Sequence, residues 1–213
     1  MKSIVSVLFL VLFLVVLSGC AAIQTSVSKK DLDTQSKMSK TIFLEPTHTE
    51  RERTVFLQVR NTSDQSDFDI TQKLESAIIN RGYRVVHKLS EANYLVQANV
   101  LQVGKSSPNA AEAAIYKGYG MDGVAIGAST AYVAGASSEV MVGAGILGGL
   151  ASVIADSAVK DVYYSVIVDI QIKKGREKFQ TRILSSANKV NLKLAEALPA
   201  LKDGITKSIA GIF

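Results

Sequence analysis

Apolar and polar positions alternate in several stretches of the chain, and each such stretch predicts a β-strand. The clearest alternation runs through residues 161–174, where Val166, Val168 and Ile170 share one face. Residues 177–187 follow after the short connection Lys174-Gly175-Arg176, which predicts a β-hairpin. The other stretches with strand-like patterns are 41–46, 53–61, 83–88 and 92–105.

Helical spacing replaces the alternation in two places. Ile70, Leu74 and Ile78 lie four residues apart, which predicts an amphipathic helix between Asp67 and Arg81, capped by Ser66 or Asp67. The tail from about Glu196 has Leu201, Ile205 and Ile209 at helical spacing, with Pro199 expected in the first turn, where proline is tolerated. These elements together predict a small α+β domain.

The first twenty residues have the pattern of a secretory signal. Lys2 precedes an apolar run from Ile4 to Leu17, and the motif Leu17-Ser18-Gly19-Cys20 resembles the bacterial lipobox. Cys20 is the only cysteine, so lipidation of its sulfur explains a thiol that has no disulfide partner. The alternative is an ordinary signal peptide with an incidental cysteine. Residue 21 is Ala rather than Asp, which by resemblance to enterobacterial lipoproteins favours the outer membrane.

A glycine-rich insertion interrupts the α+β pattern. More than half of residues 123–155 are Gly, Ala or Ser, and Glu139 is the only charged residue. A single spanning helix would place Glu139 at the bilayer midpoint, at a cost of about 2.5 to 3.5 kcal/mol. Two helices with Ser138 and Glu139 at the tip avoid this cost. The sequence therefore predicts a transmembrane helical hairpin.

Small residues four apart allow close helix packing in lipid. The residues expected to pack the hairpin are Gly123, Gly127, Ala131, Gly135, Gly143, Gly145, Gly148 and Gly149. They exceed what one hairpin needs, which predicts a symmetric homo-oligomer in the form of a ring. The residues expected to form an aromatic belt at one membrane interface are Tyr116, Tyr119, Tyr163 and Tyr164. Ordinary strand packing is the alternative for Tyr163 and Tyr164, and a soluble glycine-rich loop or a fusion-like segment for the insertion.

The complete prediction is an α+β fold with a small mixed sheet and packed helices, interrupted by an inserted transmembrane α-helical hairpin and preceded by an N-terminal lipid anchor. Five segments follow from it. Residues 1–19 are the signal peptide, 20–40 the lipidated cysteine and polar tether, 41–117 the first part of the domain, 118–158 the membrane hairpin, and 159–213 the second part with its C-terminal helix.

Composition argues against two classes of function. The net charge of +5 is spread along the chain without a dense basic block, which argues against nucleic-acid binding. His48 and His87 are the only histidines, and neither lies near further ligands at metal-site spacing, so we expect no metal and no catalytic site. The run GAGILG (143–148) matches a dinucleotide-binding fingerprint, but its surroundings lack the parallel βαβ pattern which that site requires.

Several extended blocks together resemble the TraT family of conjugation-associated surface-exclusion and complement-resistance lipoproteins. The blocks are LSGC, KMSKTIFLEP, RTVFLQVRNTSD, RGYRVV, ANYLVQANVLQV, DVYYSVIVDIQI and the C-terminal run from Phe179. The chain departs from that pattern at KKGREK (173–178), where family members have a longer polar connection.

The resemblance implies an oligomeric outer-membrane protein that blocks entry by donor cells carrying a like plasmid and, in some hosts, protects against complement. It implies membrane lipid, other copies of the chain, and donor-cell conjugation components or complement proteins as partners, and no cofactor beyond the lipid on Cys20. A ring-forming lipoprotein pore or export channel is the alternative.

Overall fold

The computed structural model describes residues 30–47, 49–116, 119 and 160–213. They form one six-stranded mixed sheet and three α-helices. The strands are β1 (Asp33–Met38), β2 (Thr54–Asn61), β3 (Arg84–Val86), β4 (Tyr94–Lys105), β5 (Asp161–Lys174) and β6 (Glu177–Val190). The helices are α1 (Thr71–Ile79), α2 (Pro108–Tyr116) and α3 (Leu194–Ala210), with 3-10 turns at Glu50–Glu52 and Leu89–Glu91.

The strands lie in the order β1-β6-β5-β4-β2-β3. β1, β6, β5 and β4 are mutually antiparallel, whereas β2 is parallel to both β4 and β3. α1 supplies the crossover between the parallel strands β2 and β3. The β5–β6 hairpin is closed by the pair Lys174 and Glu177, and Gly175 adopts a φ of 56° in the two-residue turn between them. A non-glycine residue would be strained at that φ, so the predicted hairpin is confirmed with its glycine in the turn.

The main hydrophobic core lies between one face of the sheet and helices α1 and α3. The alternation predicted for β5 is confirmed, since Val166, Val168 and Ile170 are all buried in this core. Leu74 from α1 and Leu201 from α3 pack into the same cluster. The C-terminal residue Phe213 closes one end of the core in edge-on contacts with Tyr83 and Tyr94, with ring centroids 4.9 and 5.6 Å away.

α3 lies unusually close to the sheet at Gly204. A Cβ atom on this residue would lie 2.2 Å from the Ser185 side-chain oxygen and 2.6 Å from that of Ser36. These distances are far below van der Waals contact, so the helix can approach β6 and β1 this closely only because residue 204 has no side chain. Gly204 is therefore a packing position.

Four local predictions need correction. Residues 33–38 were assigned to the polar tether but form the edge strand β1, and 41–46 were assigned to a strand but form none. Asp69 rather than Ser66 or Asp67 serves the start of α1, where its carboxylate accepts hydrogen bonds from the backbone nitrogen and hydroxyl of Thr71 at 2.8 and 2.6 Å. Both bonds favour the ionised form and lower the pKa of the Asp69 carboxyl. Pro199 lies inside α3, beyond its first turn.

The fold class predicted from the sequence was wrong in its membrane component. The described fold is a mixed sheet with three helices, and within the described residues no helix combines the length and apolar character needed to cross a bilayer. The described architecture therefore does not contain the transmembrane hairpin that was predicted. Of the segment 118–158 to which the hairpin was assigned, only Tyr119 is among the described residues.

Candidate functional site

The second face of the sheet has only α2 packed on it in the described part of the chain. Ala111, Ala114 and Ile115 of this helix form a small second core with Leu101, Ile167 and Leu184 of the sheet. α2 was not predicted from the sequence because its apolar side chains are mostly alanine, which gives a weak periodic signal. A local signal was present, since the Ser107 side chain accepts a hydrogen bond from the Ala110 nitrogen at 3.3 Å and Pro108 occupies the first helical position.

A buried ion pair holds the end of α2 against the sheet. The Arg182 guanidinium of β6 donates to both carboxylate oxygens of Asp169 on β5, at 2.6 and 3.0 Å. It also donates to the backbone oxygen of Ala114, at 3.0 Å. That carbonyl is in the last turn of α2, where helix geometry supplies no regular backbone donor to the carbonyl oxygens. Arg182 is fully buried, so the pair fixes the position of the helix end and of Tyr116, the last residue of α2.

Beyond this helix end the surface forms an open groove with aromatic side chains, which we call the aromatic groove. Its lining residues are Ser39, Lys40, Thr41, Ile42, Phe43, Ile115, Tyr116, Tyr119, Lys178, Phe179 and Gln180, and its volume is about 610 Å³. Phe43 and Tyr116 are each 84% exposed and Tyr119 is 39% exposed. Only five large hydrophobic side chains are exposed in the described residues, and three of them are these aromatics. Such clustering is typical of an interaction surface.

The charge of the aromatic groove is one-sided. Lys40 and Lys178 line it and are exposed, and none of its lining residues within the described ranges carries a carboxylate. The groove therefore combines exposed rings with positive charge, which favours an anionic and partly apolar partner over a cationic one.

A row of four glutamine side chains reaches the groove across the second face of the sheet. Gln180 donates to Gln171 at 3.0 Å, Gln171 donates to Gln97 at 2.6 Å, and Gln97 donates to Gln58 at 2.7 Å. The row crosses β6, β5, β4 and β2, and Gln180 is also part of the groove lining. This face is thus polar where α2 does not cover it.

The predicted tyrosine belt is divided by the structure. Tyr116 and Tyr119 meet in the aromatic groove, whereas Tyr163 packs against the α2 side of the sheet and Tyr164 against the opposite core. Burial raises the pKa of the Tyr163 hydroxyl. Tyr163 pairs with Asn188, eight residues along β6 from Gln180, which separates it from the groove by roughly 26 Å. The four side chains do not lie at one level, and strand packing accounts for Tyr163 and Tyr164.

The other site residues predicted from the sequence lie outside the described residues. They are Cys20, Gly123, Gly127, Ala131, Gly135, Ser138, Glu139, Gly143, Gly145, Gly148 and Gly149. Of the two histidines, His48 is also outside, and His87 is exposed. In the described ranges no three His, Cys, Asp or Glu side chains gather in a way that could hold a metal ion.

Comparison with known proteins assigns the chain to a family. The family model described as "Enterobacterial TraT complement resistance protein" matches residues 31–178 and 173–213. The chain belongs to the TraT family. A TraT complement resistance protein of Escherichia coli is 36% identical over 228 residues, covering 92% of this chain and 93% of that protein. The relative from Escherichia coli strain K12 is 37% identical over 242 residues, covering 92% of each. The resemblance found in the sequence is confirmed.

The comparison also locates where this member of the TraT family departs from its relatives. The family model matches in two pieces that meet at residues 173–178, the end of β5 and the start of β6. The alignment with the K12 relative spans 242 positions although the chain has 213 residues, so the relative has residues without a counterpart here. A two-residue turn at Gly175 is all that connects the two strands in this chain.

Among solved structures, the PelC dodecamer from Paraburkholderia phytofirmans aligns with a TM-score of 0.38 and 6% identity. The alignment covers 84% of this chain and 98% of that one.

Proposed function

We propose that this TraT family member is a lipid-anchored, non-enzymatic barrier protein of the bacterial outer membrane, acting in surface exclusion and complement resistance. The observation that carries the proposal is the match to TraT complement resistance proteins along 92% of the chain. The Leu17-Ser18-Gly19-Cys20 motif supports the anchor, because Cys20 is the only cysteine in the chain. Two or three long acyl chains on one cysteine hold a protein on a membrane effectively permanently.

The proposed mechanism is steric rather than chemical. The charged pair Asp169 and Arg182 is buried and fixes α2 against the sheet, so these charges serve the architecture of the body. A rigid body of this kind, displayed densely on a membrane, hinders close approach by a donor-cell conjugation apparatus or assembly of complement proteins. No bond is made or broken in this mechanism.

The anchor and the protection can be tested together by Cys20→Ser in a bacterium that lacks other TraT proteins. Ser18→Ala, which keeps a small residue in the motif, is the matched control. We expect Cys20→Ser to abolish incorporation of labelled palmitate, release the protein from outer-membrane fractions, and lower both serum survival and exclusion of an incoming plasmid. Full protection by an unlipidated protein in both assays would refute the proposal.

We propose in addition that the protein acts as a homo-oligomer. β1 supports this proposal, because it is an exposed edge strand and its outer side has no strand partner in the described residues. Open edges of this length favour pairing with another chain. Crosslinking in intact outer membranes, followed by mass analysis of the solubilised complex, is expected to give one complex with a fixed number of subunits. Finding only monomer at native abundance would contradict the proposed homo-oligomer.

Ion conductance of the same complex in planar bilayers would support the pore alternative instead.

A further inference from the structure

The exposed rings of the aromatic groove have no evident role in the stability of the fold. Phe43 and Tyr116 leave 84% of their surface accessible, so each loses most of the benefit that burial of an aromatic ring would bring. Phe43 also directly follows Ile42, which is buried in the main core and fixes the backbone beside it. Because the Ile42 side chain is fixed in the core, the adjacent Phe43 ring points toward solvent and has little freedom to become buried.

The lysines of the groove complete a combination that suits one environment. Rings of Phe and Tyr lie favourably at the boundary between head groups and acyl chains, and lysine side chains extend from that depth toward phosphates. Lys40 lies three residues before Phe43, and Lys178 directly precedes Phe179, which also lines the groove. Each lysine of the groove is thus close in sequence to an aromatic residue of its lining.

We infer that the aromatic groove is a second membrane contact, in which Phe43, Tyr116 and Tyr119 enter the interface of an anionic bilayer while Lys40 and Lys178 bind lipid phosphates. This inference rests on the proposed membrane anchoring, because the anchor keeps the body beside a bilayer. It adds an orientation, since it places the groove end of the sheet on the lipid surface.

The position of the tether permits both contacts at once. The chain enters the sheet at Asp33, which pairs with Asn188 and lies roughly 26 Å along β6 from Gln180 at the groove. The segment from Cys20 to Leu32 has thirteen residues, and a chain of that length reaches at most about 45 Å. The lipid on Cys20 and the groove can therefore touch the same bilayer.

The chain has no tryptophan, so Phe43→Trp introduces the only indole, at a residue that lines the proposed contact. The experiment uses the chain with Cys20→Ser, which removes the covalent lipid, and vesicles of phosphatidylethanolamine and phosphatidylglycerol with or without brominated acyl chains. Leu89→Trp is the matched control, because Leu89 is also an exposed apolar residue, at 55%, and lies outside the groove.

We expect the indole emission of the Phe43→Trp variant to shift to shorter wavelength and to be quenched by brominated lipid, while the emission of the Leu89→Trp variant changes in neither way. Adding Lys40→Gln or Lys178→Gln to the Phe43→Trp variant should weaken its vesicle binding by about fivefold, since one lysine near an anionic surface contributes about a factor of that size. Vesicles of phosphatidylcholine alone should give little quenching.

Two results would overturn the inference. An indole in the Phe43→Trp variant that stays accessible to aqueous quencher on vesicles which bind the protein would show that the groove faces away from lipid. An emission shift of the same variant that grows with protein concentration and needs no vesicles would show that a second copy covers the groove. Failure of the anchor itself is seen separately, as absence of the unmodified lipoprotein from outer-membrane fractions.

Discussion

The buried pair of Asp169 and Arg182 gives the sharpest test of how the body is held together. Asp169→Asn preserves the shape of the side chain and removes its charge. The Arg182 guanidinium, which is fully buried, then loses the negative charge of its Asp169 partner. Removing one partner of a buried pair costs about 3 to 5 kcal/mol, because the remaining charge stays desolvated.

This cost translates into a large shift in urea. For a slope of about 2 kcal/mol per molar urea, typical of a domain of this size, a loss of about 4 kcal/mol lowers the unfolding midpoint by roughly 2 M. Far-UV circular dichroism of the protein in detergent measures that midpoint. Hydrogen exchange should show the loss first in α2, because Arg182 also binds the Ala114 carbonyl at the end of that helix.

Glu112→Gln is the matched control, since Glu112 ties the same helix to β1 through an ion pair with Lys37 that is about half exposed. An exposed pair contributes at most about 1 kcal/mol. The double variant Asp169→Leu with Arg182→Met should recover most of the stability, because apolar side chains of similar size replace both charges. If Asp169→Asn lowers the urea midpoint no more than Glu112→Gln does, the Asp169–Arg182 pair is not what holds α2 against the sheet.

Three further outcomes are expected. Hydrogen bonds from Thr71 lower the folded-state pKa of the Asp69 carboxyl. The stability that these bonds contribute is therefore complete above the unfolded pKa of about 3.9 and is lost as pH falls through the folded value. The urea midpoint of the Asp69→Asn variant should accordingly depend less on pH in the acidic range than that of the unchanged protein. Gly204→Ala should lower the free energy of unfolding by about 1 to 3 kcal/mol through overpacking, and Ser185→Gly should restore part of it, whereas no rescue would contradict the clash geometry. Gly175→Ala should cost about 1 kcal/mol because residue 175 has a positive φ, and an unchanged thermal midpoint would argue against that turn.

The sequence predicted those parts of the fold in which one face of an element is buried. β5, β6 and α3 place apolar side chains on one side at a regular period, so the sequence itself shows which face of each element is buried. β1 could not be found in this way, since almost all of its residues are exposed and its sequence, DTQSKM, has no apolar alternation. Its pairing depends on β6, which lies about 150 residues later in the chain.

The candidate site was only partly predictable for a similar reason. Asp169 and Gln171 alternate with apolar residues in β5 and therefore resemble solvent-facing positions. They are nonetheless buried, because the second face of the sheet is partly covered. Tyr116 and Tyr119 were singled out as interfacial aromatics, but Phe43, which completes the groove, was assigned to a strand. Its exposure depends on where the chain leaves β1, which no local pattern encodes.

The glutamine row on the second face has a direction. The amide nitrogens of Gln180, Gln171 and Gln97 each donate to the amide oxygen of the next glutamine toward β2, and Gln58 accepts the last of these bonds. The side-chain amides are therefore aligned along the row. One amide cannot rotate by half a turn without setting two like groups against each other, so the four must reverse together or not at all. Side-chain amide resonances in NMR should consequently respond as a set, and Gln97→Leu would divide the row into two independently rotating parts.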